Sequence, residues 1–388
     1  MKALIAAFAD PNRSPRPRRM LEACLEQGFE THLFSLPADN HLGAKRHFPV
    51  TNSLGNWPTR RKIAAVKMGL LYHIQRSQKG RESMIESSYH LDRVADPFAA
   101  HEYDVIIVED LFLLPYCLKR RKHAHIIFDA REFYPKQREG EILFSLLEAP
   151  IRDWVCTTYL KECDKVFTVS NGLAEEYKRV YGIDAQILMS TPKLQPELAK
   201  AKPNRCEKKL RLVHLGGANP NRRLENMIRV FAKLDSRFTF DLFLTGSARY
   251  IRRLKKIAEP YKNIHIQDPV GPNEIISSLS DYDIGFYYLE PKGFNLKHSL
   301  PNKLFEFIHA GLAVAIGPSP EMSRLVNRYQ CGFVSEDFSI DAMASTLNAI
   351  DTDSVNKAKE NSKKAAKQLC AEFEWEKVKA CLCDLANR

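Results

Sequence analysis

What most limits this chain is a recurring order of short apolar strand, loop and amphipathic helix, which runs through its first half, stops, and starts again. Strand-length apolar runs stand at residues 2–8, 30–35, 105–108, 125–128 and 165–169. Helical patterns fall at 18–27, 152–163 and 173–181, the first closed by Gly28. Such alternation builds parallel sheets with helices against them. Residues 190–209 (STPKLQPELAKAKPNRCEKK) are polar, rich in Pro and Lys and without period, and they read as a linker. Beyond them the pattern resumes, with strands at 210–215, 238–245, 264–267, 284–288 and 313–316 and helices at 224–234, 250–260 and 302–310. The tail, 351–386, reads as one or two helices. The predicted fold class is α/β, with two Rossmann-like halves and a ligand cleft between them, the usual place for a ligand in such folds.

A chain of 388 residues, 44% hydrophobic, can bury a core in each half. It has no uncharged apolar run of about 18 residues, so no spanning helix is expected. The start, MKALIAAFADPNRSPRP, reads as a first core strand and not as a signal peptide. Nine scattered cysteines include no C-x2-C pair, and Cys381 and Cys383 form an isolated C-x-C. Reduced, mostly buried thiols in a cytoplasmic protein are expected. The net charge of +11 points to anionic partners. Residues 13–19 (RSPRPRR) are one basic stretch. The other is 59–81, where Ile63, Val66, Met68, Leu70, Leu71 and Ile74 sit among Arg60, Arg61, Lys62, Lys67 and Arg76. A basic amphipathic helix of that kind lies on an anionic membrane surface or, more plainly, packs on its own domain. Nucleic acid is not an expected partner, because the basic runs lack interleaved aromatics and match no common module.

The most informative segment is 287–321, YYLEPKGFNLKHSLPNKLFEFIHAGLAVAIGPSPE. A strand ends near Tyr288, and the loop after it carries Asn295, Lys297, His298 and Ser299. Pro301 opens a helix with Asn302 and Lys303 in its first turn. Helix N-termini offer free N–H groups and partial positive charge, which suit phosphate, and Lys303 adds a formal charge. Glu306 lies one turn on, near the same face, where a carboxylate can accept from vicinal ribose hydroxyls. On spacing alone, Lys303 and Glu306 are equally a solvated helical pair worth a few tenths of a kcal/mol. A second segment, 213–225 (VHLGGANPNRRLE), places Gly216 and Gly217 after a strand, where backbone can approach a phosphate and Arg222 or Arg223 can close on it. By itself it is also an ordinary tight turn with solvated arginines.

The run S-L-P-N-K-L-F-E-F-I-x-A-G-L-x-V at 299–314 resembles the donor-binding signature of the family-4 retaining glycosyltransferases of GT-B architecture, nearest to variants from bacterial surface-polysaccharide synthesis. The resemblance covers nearly the whole chain and is strongest over 210–335. It implies two Rossmann-like domains facing each other across a cleft: 1–190 for the acceptor, a linker at 191–209, and 210–365 for the nucleotide-sugar. A C-terminal helix, 366–388, would cross back to the first domain, since Phe373-Glu-Trp375 is similar to the family's closing F-S-W-E. It implies that Glu306 holds the nucleotide ribose and that Arg222 stands for the phosphate-contacting lysine of G-R-x4-K-G, with Gly217 at its arginine. Gly246, in Thr245-Gly-Ser247, falls at a turn beside base and phosphates, and 270–272 follows the next strand near the base. The donor set is then Gly216, Gly217, Gly246, Asn295, His298, Ser299, Asn302, Lys303 and Glu306. His298 stands where the family's E-x7-E pair has its first glutamate, a departure that bears on how the sugar is held.

In the first half, the loop 10–19 looks like the family's D-P-R-x-R-R, which marks Arg13 and Arg16 for the cleft. Asp129-Ala-Arg131-Glu132 resembles D-x-H-E with Arg131 for the histidine, and Ser170-Asn-Gly172 matches S-x-G. Asp110 and Glu132, with Lys303 and Arg222, are the catalytic candidates. The implied reaction moves a sugar, with retention, from a nucleotide-sugar to a saccharide or lipid-linked acceptor. No cofactor or metal is expected, because no D-x-D pair stands in a suitable loop; the expected location is the cytoplasm, with peripheral contact at the inner face of the cytoplasmic membrane as a further option. Two other readings keep the fold: a nucleotide-sugar 2-epimerase, and a catalytically dead nucleotide-sugar-binding protein.

Overall fold

The structure is a computed structural model that describes residues 1–50, 58–195, 209–271 and 274–386. Most of the linker, Cys206, Pro272 and the side chains of Arg60, Arg61 and Lys62 lie outside the described residues. The chain divides into two compact units. Unit 1 comprises Met1–Met189, Gly293–Leu296 and Glu374–Arg388, and unit 2 comprises Ser190–Lys292 and Lys297–Phe373.

Unit 1 carries seven strands: β1 (Lys2–Ala7), β2 (Glu30–Ser35), β3 (Arg46–Pro49), β4 (Val105–Val108), β5 (His125–Ala130), β6 (Lys165–Thr168) and β7 (Gln186–Ile187). Their order is β3-β2-β1-β4-β5-β6-β7, and every neighbouring pair is parallel. A parallel sheet buried on both faces requires near-continuous apolar strands, which is why β4 reads VIIV. Alternate residues serve opposite faces. Leu4, Ala6, Ile106, Val108, Ile126 and Phe128 share one core, while Ala3, Ile5, Val105, Ile107 and Ile127 share another. Val378, Leu382 and Leu385 of the Ala371–Ala386 helix belong to that second core. Each fully buried aliphatic of this kind contributes about 1.5–3 kcal/mol.

Unit 2 carries β8 (Leu210–Ala218), β9 (Phe238–Gly246), β10 (Ile264–Gln267), β11 (Ile284–Tyr287), β12 (Ala313–Ile316) and β13 (Gly332–Val334), in the order β10-β9-β8-β11-β12-β13, again all parallel. In both sheets the strand order reverses beside the first strand, between β1 and β4 and between β8 and β11. Parallel sheets take ligands at the carboxyl ends of the strands flanking such a reversal.

One device recurs in both units. An aspartate just before a strand accepts an N–H from the first or second residue of the strand beside it: Asp104 from Lys2 at 2.6 Å, Asp164 from Ile126 at 2.8 Å, and Asp283 from Arg211 at 2.9 Å. The end opposite the ligand end is tied in this way, which satisfies backbone donors that the ladder leaves over.

Several boundaries differ from the sequence reading. The first helix is Pro15–Glu26, beginning earlier than residue 18 because Ser14 and Pro15 form a natural start. The segment 59–81 splits into the helices Pro58–Ile74 and Gln78–Ser88. The tail forms two helices, Thr352–Ala366 and Ala371–Ala386. Among the described residues no helix is long and apolar enough to cross a membrane.

Candidate functional site

The predicted Gly-Gly turn is corrected: β8 does not stop at residue 215. Gly216 and Gly217 continue it to Ala218, paired through to Gly246 on β9. The chain turns afterwards. Asn219 accepts from the Asn221 N–H at 3.0 Å and starts a short 3-10 turn, Pro220–Arg222, which the left-handed Arg223 ends. That turn folds Arg222 back over the glycine edge. A Cβ on Gly216 would lie 3.6 Å from Arg222 Nη1, 3.6 Å from His214 Nε2 and 3.9 Å from Lys303 Cε. One on Gly217 would lie 3.9 Å from the same Arg222 nitrogen. The missing side chains leave an open edge faced by two cations.

Lys303 reaches that edge from the helix Asn302–His309, whose N-cap is Pro301. Leu304, Phe305, Phe307 and Ile308 are buried and set the helix on the sheet. Phe307 packs directly over Gly285 of β11, where a Cβ would stand 2.2 Å from the ring, so only glycine admits the helix this close. Asn302 is exposed at the start. Lys303 Nζ is 3.0 Å from Glu306 Oε2, so the lysine and the proposed ribose-holding carboxylate form an ion pair at the mouth of the site. Gly246 faces Ala218 with φ +102°, and a Cβ there would come 3.3 Å from the Ala218 carbonyl oxygen. Ser247 after it caps the next helix by accepting from the Tyr250 N–H.

The other donor candidates are placed differently. His298 and Ser299 are half-buried. His298 Nδ1 lies 3.4 Å from Oε1 of the buried Glu321, which stands in the first turn of the helix Pro320–Tyr329. Where the resemblance has a glutamate and this chain a histidine, the fold therefore brings a carboxylate from another element. No local pattern marks Glu321, because it lies 23 residues further on. Asn295 belongs to unit 1, where its side chain accepts from the Phe133 N–H at 2.7 Å and donates to the Phe133 carbonyl at 3.0 Å.

A histidine that sequence reasoning passed over sits under the glycine edge. His214 of β8 is 1% exposed, and its Nδ1 is 2.9 Å from the Phe286 carbonyl oxygen. Burial chiefly, with Arg222 and Lys303 nearby, pushes its pKa down to about 4 against the opposing hydrogen bond to Phe286. A lone His in the apolar run VHL reads as core; only its neighbours in space mark it.

Unit 1 gathers Arg16, Glu109, Asp110, Asp129 and Arg131 at the carboxyl ends of β1, β4 and β5. Asp110 Oδ2 accepts from the Phe8 N–H at 2.6 Å. Arg131 Nη2 reaches Asp110 at 3.4 Å and the Glu109 carbonyl at 3.3 Å. Arg16, 7% exposed, forms a two-pronged pair with Asp129 at 2.6 and 2.7 Å and donates to the Leu188 carbonyl at 2.8 Å. Arg13 stays exposed, 3.4 Å from Asp10. Glu132 accepts from Gln137, and burial foremost raises its pKa. Glu109 has neither carboxylate oxygen hydrogen-bonded among the described residues, and burial, then the Asp129 charge, holds its pKa well above the carboxylate range. Among the described residues no group of three or more His, Cys, Asp or Glu is arranged to hold a metal ion.

In sequence, no family model and no curated protein matches the chain. In structure it is similar to sucrose-phosphate synthase from Thermosynechococcus elongatus, with TM-score 0.69 and 14% identity over 99% of this chain and 98% of that one. It is also similar to WaaG, a glycosyltransferase involved in lipopolysaccharide biosynthesis, with TM-score 0.65 and 14% identity over 98% of each chain. HepE from Anabaena, solved in complex with UDP, matches at TM-score 0.66 and 11% identity over 99% of this chain and all of that one. The chain has the GT-B fold. These neighbours are glycosyltransferases, and at 11–14% identity the likeness carries the architecture and not the reaction.

Proposed function

We propose that the chain is a glycosyltransferase whose unit 2 binds the diphosphate of a nucleotide-sugar at the Gly216 and Gly217 edge. The observation that carries this reading is the convergence of Arg222, Lys303 and the start of the Asn302–His309 helix on a strand end without side chains, beside the order reversal of a GT-B sheet. Two cations and free helix N–H groups stabilise an anion there, and Glu306 is within reach of ribose hydroxyls. As the bond from the sugar to the diphosphate breaks, charge grows on the leaving oxygen, which these groups are placed to stabilise. The acceptor oxygen bonds to the anomeric carbon on the face that the diphosphate leaves, giving retention, and its proton passes to the departing diphosphate. This scheme uses no metal.

The acceptor is a saccharide or lipid-linked saccharide of surface-polysaccharide synthesis, met at the cytoplasmic membrane. One surface of unit 1 supports membrane contact. Met68 of the Pro58–Ile74 helix is buried in the core, and Gly69 lets Leu147 approach closely. Ile63, Leu70 and Ile74 of the same helix, with Ile142, Leu143 and Leu146, remain exposed, Ile142 at 77%. Lys67 and Arg76 are exposed among them. Apolar side chains amid basic ones suit an anionic lipid surface.

The test is a panel of UDP-, GDP-, CMP- and TDP-linked sugars, first by thermal shift and then with acceptor extracts. One donor stabilises the wild type and gives a glycosylated product, while Lys303→Ala and Glu306→Ala fold normally and give none. Full activity in both variants sinks the assignment. A new nucleotide-sugar formed from donor alone makes the chain an epimerase, and binding without any transfer makes it a binding protein.

A further inference from the structure

This inference rests on the reading of the glycine edge as a diphosphate site. The Phe286 carbonyl oxygen can only accept, so the 2.9 Å contact puts the hydrogen of His214 on Nδ1. Nε2 is then a bare lone pair. It is buried, has no hydrogen-bond partner among the described residues, and stands 3.6 Å from where a Gly216 Cβ would be. The charged and titratable groups facing it are Arg222 from the turn after β8, Lys303 from the Asn302–His309 helix with Glu306 paired to it, and Tyr287 from β11, its ring 6.1 Å away. Its register partner on β9 is the uncharged Leu242.

A bare lone pair beside a phosphate oxygen is repulsive, whereas a protonated ring makes a charge-assisted hydrogen bond to it. Without ligand, Arg222 and Lys303 oppose a third positive charge. A bound diphosphate neutralises both and adds negative charge of its own. We propose that His214 takes up a proton when a nucleoside diphosphate or its sugar ester binds, and so becomes a third cationic donor to the phosphates. The proton comes from the solvent buffer, bonds to the Nε2 lone pair, and returns to solvent when the diphosphate leaves. The lowered pKa of the ring agrees with this, since burial first and then the two nearby cations favour its neutral form. Gly216 is required twice, for ligand approach and because a Cβ there would stand 3.6 Å from Nε2, between it and the ligand.

The experiment is calorimetric titration of the full chain with UDP and, in parallel, GDP and TDP, at about pH 7.5 in buffers of different ionisation enthalpy. For the nucleotide that binds, the observed heat should depend on the buffer with the sign of proton uptake. Affinity should fall as pH rises, by up to about tenfold per unit. His214→Asn keeps a donor for the Phe286 carbonyl and removes Nε2, so uptake and the pH slope should vanish while some binding remains. Tight binding by the wild type without proton uptake overturns the role of His214 and leaves the donor site standing. Binding of none of the three overturns the donor site itself. Uptake that persists in a folded His214→Asn protein assigns the proton elsewhere and also overturns the proposal. The wild-type proton count stands even if the variant does not fold.

Discussion

The two units place the same kind of site at the same architectural position and fill it with opposite chemistry. At the reversal of sheet order in unit 1, carboxylates dominate: Glu109, Asp110, Asp129 and Glu132, with Arg16 and Arg131 bonded among them. At the reversal in unit 2, Arg222 and Lys303 face an open edge over a neutral histidine. In unit 1 the buried arginine serves a carboxylate of the fold. In unit 2 Arg222 and Lys303 face a strand edge that carries no side chain. Position comes from the sheet order, and what can bind comes from how much charge the site leaves unanswered.

Stability should separate the two most sharply. Arg16→Met strands the Asp129 carboxylate in the interior and should cost about 3–5 kcal/mol. Lys303→Ala should change stability by less than about 0.5 kcal/mol, since its partner is partly exposed. Urea unfolding reads both, and equal losses would erase the distinction. Ligand binding should reverse the ranking. Lys303→Ala or Arg222→Ala should weaken nucleoside diphosphate binding by about 10- to 100-fold, the worth of a charge-assisted hydrogen bond. Asp110→Asn should leave it within about twofold. A comparable loss for Asp110→Asn would place unit 1 at the donor phosphates.

The pH dependences should have opposite signs. The pKa of Glu109 is raised, so its contribution is fully present below its ordinary value of 4.5 and is lost as pH rises. Glu109→Gln should therefore raise Tm by a few degrees, about 2–4 °C per kcal/mol in a unit of this size, with a gain that grows from mildly acid to alkaline buffer. The pKa of His214 is lowered, so its contribution is fully present above 6.5 and is lost as pH falls toward about 4. His214→Asn should give the smallest effect, a shallower loss of Tm over that acid range. Melting curves across pH check both, and a flat Glu109→Gln difference would mean that the carboxyl is solvated.

How far this was legible in sequence depends on which contacts are local. Most strands of both sheets, and the helix begun by Pro301, were readable because burial on two faces and helix starts write themselves into adjacent residues. β3, β7 and β13 were not, since their residues are at most half-buried and so carry no continuous apolar run. Spacing puts Lys303 and Glu306 on one helical turn, and it is the resemblance, not the spacing, that marks them for a donor. Glu321 and His214 were missed, as their meaning arises from partners 23 and 72 residues away. The extension of β8 through two glycines ran against propensity, and pairing with β9 overrode it.

The Ala371–Ala386 helix also sets an order of events during synthesis. Val378, Leu382 and Leu385 join Met20, Leu21 and Ala23 of the first helix over one face of the sheet begun by β1, so the cover of that face is finished only after residues 378–385 are made. Unit 2, whose strands all lie between residues 210 and 334, has its whole sheet available earlier. The half made first is thus the half completed last, and a ribosome stalled before residue 374 would present an unfinished apolar surface to chaperones.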